Sequence, residues 1–130
     1  MKCLDTDFLI AILRGREDAG KKMSETDREG RQSTTAVNAF ELLYGAHRSN
    51  QRSANIEKTK ALLDRVEVLP FQLDSSQRAG EILAELTSRG ESIDFRDAMI
   101  AGIASRNGLT LVTRNKEHFA RVKGLEVEVW

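Results

Sequence analysis

A chain of 130 residues with 40% hydrophobic and 31% charged side chains has the composition of one globular domain, able to bury roughly two-thirds of its unfolded surface. No apolar run approaches the ~20 residues that cross a bilayer, no signal-peptide pattern opens the sequence, and the lone Cys3 excludes an internal disulfide, so a reduced, cytoplasmic protein is expected. Twenty basic residues balance twenty acidic ones, which excludes nucleic-acid binding through bulk charge but not through a local basic surface.

The first ten residues carry the strongest local signal. Lys2 to Leu4 reads as a strand, and Phe8, Leu9, Ile12 and Leu13 then recur with helical period from about Thr6 to Arg14. Asp5 and Asp7 stand at the junction. In open α/β sheets ligands bind outside the carboxyl ends of strands, so an acid here is placed for chemistry. One helix cap explains Asp7 and leaves Asp5 unaccounted for.

After Gly15, Glu17 to Glu29 forms a polar helix whose only large apolar residue is Met23. Such a helix has little to bury. A short strand from Gln32 to Thr34 leads through Thr35, a capping residue, into a helix from Ala36 to His47. That helix is apolar nearly all round and is expected to be buried, with Glu41 on a stripe with Val37, Phe40 and Tyr44. A carboxylate there is costly unless it escapes to the rim, pairs with an arginine or binds a metal.

Asn55 to Arg65 predicts a further helix with Ile56, Leu62 and Leu63 inward, and Val66 to Phe71 a strand ended by Pro70. Asp74 is expected to cap an amphipathic helix reaching Arg89, closed by Gly90. Between Ser92 and Asn107, Asp94 and Asp97 lie at a helix start, where capping fully explains Asp94. Ala101, Gly102 and Ala104 predict that this helix packs very closely on the sheet. Leu109 to Thr113 is a compact strand with Arg114 and Asn115 at its end; Glu117 to Phe119 makes a short turn, and Leu125 to Val129 a last strand. The order β-α-α-β-α-α-β-α-α-β-β predicts an α/β fold with helices on both faces of a mostly parallel sheet of four to five strands, the first strand central.

Asp5, Glu41 and Asp97 are the raw material of a hard-cation site. Mg²⁺ prefers oxygen ligands, is held by one or two carboxylates and keeps several waters. Such a metal activates water and stabilises charge on a phosphoryl oxygen. His47 and His118 have no partner at metal-ligand spacing and read as surface or packing residues.

Four segments in order, Leu4-Asp5-Thr6-Asp7, Phe40-Glu41-Leu42-Leu43-Tyr44-Gly45-Ala46, Ile93 through Asp97-Ala98-Met99-Ile100-Ala101, and Leu111-Val112-Thr113-Arg114-Asn115, resemble the PIN-domain family, specifically the VapC-type toxin ribonucleases of type II toxin–antitoxin systems. The resemblance spans essentially the whole chain. It implies one PIN domain over residues 1–130, a PIN-like three-layer α/β/α sandwich. It also implies an Mg²⁺- or Mn²⁺-dependent endoribonuclease that cuts RNA phosphodiesters with a metal-activated water. Asp5, Glu41 and Asp97 would match the family's acids around the metal, with Asp5 and Asp97 as direct ligands. The fourth acidic position falls at Asn115, which is neutral but still able to position water. Thr6 and Thr113 would support the ligands by hydrogen bonds, and Arg14, Arg96, Arg114 and Lys116 flank the pocket and suit RNA phosphates. Implied partners are the RNA substrate, a VapB-type antitoxin that blocks the site and a second copy in a homodimer, with no membrane contact. Two alternatives stay open. One is a catalytically silent PIN-fold binding module; the other is a haloacid-dehalogenase-like phosphohydrolase with Asp5 as nucleophile and Asp7 as acid. The second needs a late acidic pair after a strand, whereas the late acids here open a helix.

Overall fold

In the computed structural model, which describes residues 1–130, the chain runs β1 (Lys2–Leu4), α1 (Thr6–Leu13), α2 (Glu17–Asp27), β2 (Ser33–Thr35), α3 (Ala36–Arg48), α4 (Arg52–Asp64), β3 (Glu67–Leu69), α5 (Leu73–Ser88), α6 (Phe95–Arg106), β4 (Thr110–Val112), α7 (Lys116–Phe119) and β5 (Val127–Glu128). The five strands pair in the order β3-β2-β1-β4-β5, every pair parallel. β1 is central, as expected. The short α7, expected only as a turn, supplies the crossover that keeps β5 parallel to β4. Because the chain moves from β1 to one side and returns to the other, β1 and β4 diverge at a switch point, and the crevice beyond their carboxyl ends is the natural ligand site.

Side chains alternate across the central strands and build two cores. Cys3 and Leu111 face one layer, where they meet Ile82 and Leu86 of α5 and Ile100 and Ile103 of α6. Leu4 and Val112 face the other, with Phe8 and Leu9 of α1, Met23 of α2 and Leu62 of α4. α3 gives Val37 to the first core and Leu42 to the second, so it bridges the layers. β2 is Ser-Thr-Thr and wholly buried. Its first two hydroxyls are satisfied by β1: Ser33 Oγ donates to the Lys2 carbonyl at 2.8 Å and Thr34 Oγ1 to the Leu4 carbonyl at 2.7 Å.

Several local expectations need correction. α3 is not buried all round: Phe40 and Tyr44 are 58% and 53% exposed and stack on each other with centroids 6.1 Å apart. The buried face is Val37, Asn38, Leu42 and Ala46. Two apolar stripes lie on this helix, only one of which meets the protein, and Glu41 sits half-buried between them. α5 starts at Leu73, before Asp74, and its first turn is closed by the Ser75 hydroxyl, which accepts from the Gln72 N–H at 2.9 Å. A Cβ on Gly102 would lie 2.8 Å from both the Ala79 Cβ and the Ser75 carbonyl oxygen. The glycine therefore admits α5 to α6, while Ala101 and Ala104 fill the core beneath.

Candidate active site

The Asp5 backbone N–H donates to the Val112 carbonyl at 3.0 Å, so the residue leaves β1 while still tied to β4. Its carboxylate caps α1, with Oδ1 accepting from the Thr6 N–H at 2.9 Å. Oδ1 also accepts from the Asn38 amide at 3.1 Å, and Oδ2 from the Thr113 hydroxyl at 2.7 Å. Only 5% of the residue is exposed. Burial pushes its pKa from 3.8 up to about 6; the Asp7 and Asp97 charges add to the rise, and the Thr113 and Thr6 hydrogen bonds oppose it.

Asn38, which sequence reasoning passed over, is the hub of the site. It is 0% exposed and occupies the third position of α3, where it completes a capping box with Thr35. Its Oδ1 accepts from the Thr35 hydroxyl at 2.7 Å, while its Nδ2 donates to Asp5 and, at 2.8 Å, to the Thr6 hydroxyl. Thr6 passes its own hydrogen to Glu41 Oε1 at 2.8 Å. One amide thus orients two acids from different elements. The available signal was a Thr-x-x-Asn spacing at the start of an otherwise apolar helix.

α6 brings the third acid. Asp97 stands in its first turn, half-buried, and burial raises its pKa above the usual carboxylate range. The neighbouring Asp94 and Glu41 charges push the same way, against His118 and Arg96. His118 Nε2 lies 3.4 Å from Asp97 Oδ2, so this histidine does have an acidic partner, contrary to expectation. Asp94 is the cap of α6, accepting from the Arg96 N–H at 2.8 Å and its Nε at 3.2 Å. That arginine holds Asp94 below the usual carboxylate range, and its Nη1 also reaches Glu41 Oε2 at 3.6 Å.

The cap assignment at the start of the chain is reversed. Asp7 lies inside α1 and holds the end of β4: Oδ2 accepts from the Arg114 N–H at 3.0 Å and lies 3.2 Å from the Thr113 hydroxyl, and Oδ1 accepts from Trp130 Nε1 at 3.2 Å. Both oxygens of Asp7 accept hydrogen bonds from groups around the end of β4, so its contacts hold that end in place. Asn115 is exposed at the rim, its backbone N–H donating to Thr113 Oγ1 at 3.0 Å. Arg114 lies 3.8 Å over the Trp130 ring and pairs with Asp18, so it is not free for phosphate. Arg14 and Lys58 line a cavity of about 250 Å³ that reaches Glu41, walled by Ile10, Leu13 and Leu42.

Asp5, Glu41 and Asp97 come together closely enough for Asp97 to feel Glu41 and Asp5 to feel Asp97, yet no three His, Cys, Asp or Glu side chains close into a metal cage. The donor chemistry fits a hard divalent cation held by two carboxylates and water: it is all oxygen, and the deepest carboxylate is held by neutral donors alone.

The chain is similar to known proteins along nearly its whole length. The PIN domain family pattern matches residues 2–125. The chain is 32% identical over 127 residues to the tRNA(fMet)-specific endonuclease VapC of Shigella flexneri, covering 98% of this chain and 96% of that one. It is 31% identical over 128 residues to ribonuclease VapC2 of Haemophilus influenzae, with the same coverage. The crystal structure of DNA-bound VapBC from Salmonella typhimurium superposes with a TM-score of 0.91 at 30% identity, covering 100% of this chain and 98% of that one. VapBC2 of Rickettsia felis, bound to a DNA fragment from its promoter, gives 0.93 at 25% identity, covering 99% and 98%.

Proposed function

The chain belongs to the PIN-domain family and is of the VapC type, and on that premise we propose that it is the toxin ribonuclease of a toxin–antitoxin pair, with a divalent cation held by Asp5 and Asp97. The observation that carries this reading is the state of Asp5. A carboxylate so deeply buried is normally protonated or paired with a cation. Here its partners are Thr6, Asn38 and Thr113, all neutral, and its nearest charges are negative. Other acids near the sheet and its helices find Arg or Lys: Asp94 has Arg96, Asp18 has Arg16 and Arg114, and Glu128 has Lys2 and Lys22.

Asp5 and Asp97 would hold Mg²⁺ or Mn²⁺, which when bound would supply a water of lowered pKa and stabilise charge on the phosphoryl oxygens. The protein's own residues do the rest. Asn38 and Thr113 fix the Asp5 carboxylate and keep bulk water from it. Glu41, anchored at Oε1 by Thr6, presents Oε2 to take a proton from the attacking water. Arg96, paired with Asp94 and Glu41, ties α6 to α3 beside that oxygen, and Arg14 binds backbone phosphates, with Lys116 and Asn115 at the rim. These contacts position the strand without reading its sequence.

The protein acts as a single PIN domain of residues 1–130, as a homodimer, with RNA as substrate and a VapB-type antitoxin as inhibitor. It works in the cytoplasm; the buried free thiol of Cys3 suits a reducing compartment, and no helix is long and apolar enough to cross a membrane. Purified Asp5→Asn and Asp97→Asn, checked for folding by circular dichroism, are expected to lose both Mn²⁺ binding and RNA cleavage. Cleavage unchanged in both variants would overturn the assignment. Expression is expected to arrest growth, and co-expression of the antitoxin to relieve it.

A further inference from the structure

We infer that Trp130, acting through Asp7 and Thr113, is a positioning residue for Asp5 and sets how tightly the cation is held. This rests on the metal-site reading above and adds to it a residue that touches none of the proposed ligands. The indole N–H donates to Asp7 Oδ1 at 3.2 Å, and the ring is packed on Phe8 at 5.2 Å between centroids. The Arg114 and Arg16 guanidiniums lie over the ring at 3.8 and 5.5 Å. Arg114 Nε donates to the Trp130 carbonyl at 3.3 Å, and the same guanidinium pairs with Asp18. The indole is held in place from several sides, and its single donor is spent on Asp7.

The consequence for the site follows from counting hydrogens. The Thr113 hydroxyl has two carboxylates in reach, Asp5 Oδ2 at 2.7 Å and Asp7 Oδ2 at 3.2 Å, but one hydrogen to give. Its lone pairs already receive the Asn115 N–H at 3.0 Å. Asp7 needs that hydrogen little, because the Trp130 indole and the Arg114 N–H supply one donor to each of its oxygens. The hydrogen therefore goes to Asp5 and fixes the orientation of its second oxygen. Without the indole N–H, Oδ1 of Asp7 is left without a donor, the Asp7 carboxylate turns to compete for Thr113, and Asp5 Oδ2 loses the contact that aims it. Groups that orient a ligating side chain typically govern metal affinity by about tenfold or more when removed; for a group one hydrogen bond further out, about three- to tenfold is expected.

The test is Mn²⁺ titration calorimetry on the metal-free full chain, comparing wild type, Trp130→Phe, Thr113→Val and the double variant, with urea denaturation run on each. Trp130→Phe keeps an aromatic ring between Phe8 and the two guanidiniums but deletes the N–H and some packing volume, and the urea denaturation reads the packing loss separately. The expected results are affinity weakened about three- to tenfold in Trp130→Phe and about tenfold or more in Thr113→Val. The double variant should be no weaker than Thr113→Val alone, because the route already ends there. A purely structural role would instead give additive losses that follow stability. Wild-type affinity in Trp130→Phe, or full additivity in the double variant, overturns the inference while leaving the metal site intact. No Mn²⁺ binding by wild type overturns the metal-site reading itself. A second measurement needs no variant: Trp130 is the only tryptophan, so its emission should change on Mg²⁺ addition with the midpoint of a calorimetric titration run with Mg²⁺, and unchanged emission counts against the coupling.

Discussion

Asp5→Asn removes a charge that the fold holds at a cost, so the metal-free variant is expected to be more stable than the wild-type chain near neutral pH. The carboxyl titrates at about 6 in the folded protein against 3.8 ordinarily, chiefly because it is buried. At 1.36 kcal/mol per unit, a rise of about two units corresponds to about 3 kcal/mol of destabilisation when the group is ionised. The sign follows from proton binding. Below the unfolded value both states are protonated and there is no penalty. Between the two values the folded state binds more protons, so stability falls as pH rises, and above about pH 6 the full penalty applies. An amide keeps the local bonds: its oxygen accepts from the Thr6 N–H and Asn38, and its nitrogen faces Thr113 Oγ1, whose hydrogen turns to Asp7. Urea denaturation in chelator at about pH 8 should show the variant more stable by about 1–3 kcal/mol, the gap closing by about pH 4. Saturating Mn²⁺ should reverse the order, since only wild type gains the binding term, about 4.1 kcal/mol at a thousandfold excess over Kd. A variant less stable than wild type in chelator at both pH values would refute the reasoning.

Asn38→Ala deletes a capping box and the donor to both Asp5 and Thr6; chemical denaturation should show a loss of about 2–4 kcal/mol, and RNA cleavage should fall at least about tenfold. Gly102→Ala improves helix propensity yet drives a methyl into the Ser75 carbonyl and Ala79 of α5, so the same assay should read about 1–3 kcal/mol of destabilisation. Arg14→Gln with Lys58→Gln breaks no ion pair and should leave stability within about 0.5 kcal/mol. It should raise the KM for RNA and flatten the salt dependence of binding by about 0.7 per removed charge in a log–log plot.

The order of elements and the centrality of β1 were legible because parallel strands demand crossovers and the sequence supplies helix pairs between them. The three acids were legible for a related reason: each stands where a strand ends, where a helix begins, or as a charge on an apolar helix. What failed was anything decided by one residue of helix register or by long-range packing. Whether Asp5 or Asp7 caps α1 depends on the helix beginning at Thr6, and composition around the junction favours neither. Phe40 and Tyr44 looked buried because both faces of α3 are apolar, and only the packing of α1, α4 and α6 decides which one is used. Thr35 was read as a cap, but Asn38 was passed over because its side chain reaching back to Thr35 and across to Asp5 is settled by packing. His118 against Asp97 and Trp130 against Asp7 join elements distant in sequence, and no periodicity reports such pairs.

The distribution of ion pairs explains how a chain of zero net charge can serve a polyanion. Many cations away from the cleft are spent: Arg65 on Asp27, Arg78 on Glu81, Arg89 on Glu85, Arg106 on Asp74, Arg121 on Glu91. Exposed pairs of this kind add under about 1 kcal/mol each to stability, but each also cancels a field that would otherwise draw RNA to the wrong surface. Around the cleft the balance is different. Arg14 and Lys58 line the cavity beside Glu41 without acidic partners, while Asp5 is surrounded by neutral donors and like charges. Without a cation the acids repel phosphate and one another. On the proposed function, a bound divalent ion would reverse the local sign with one event, turning a site that repels RNA into one whose unpaired cations and metal act together. Metal occupancy would then control substrate binding as well as chemistry, which is why the residues that orient Asp5 matter beyond the ligands themselves.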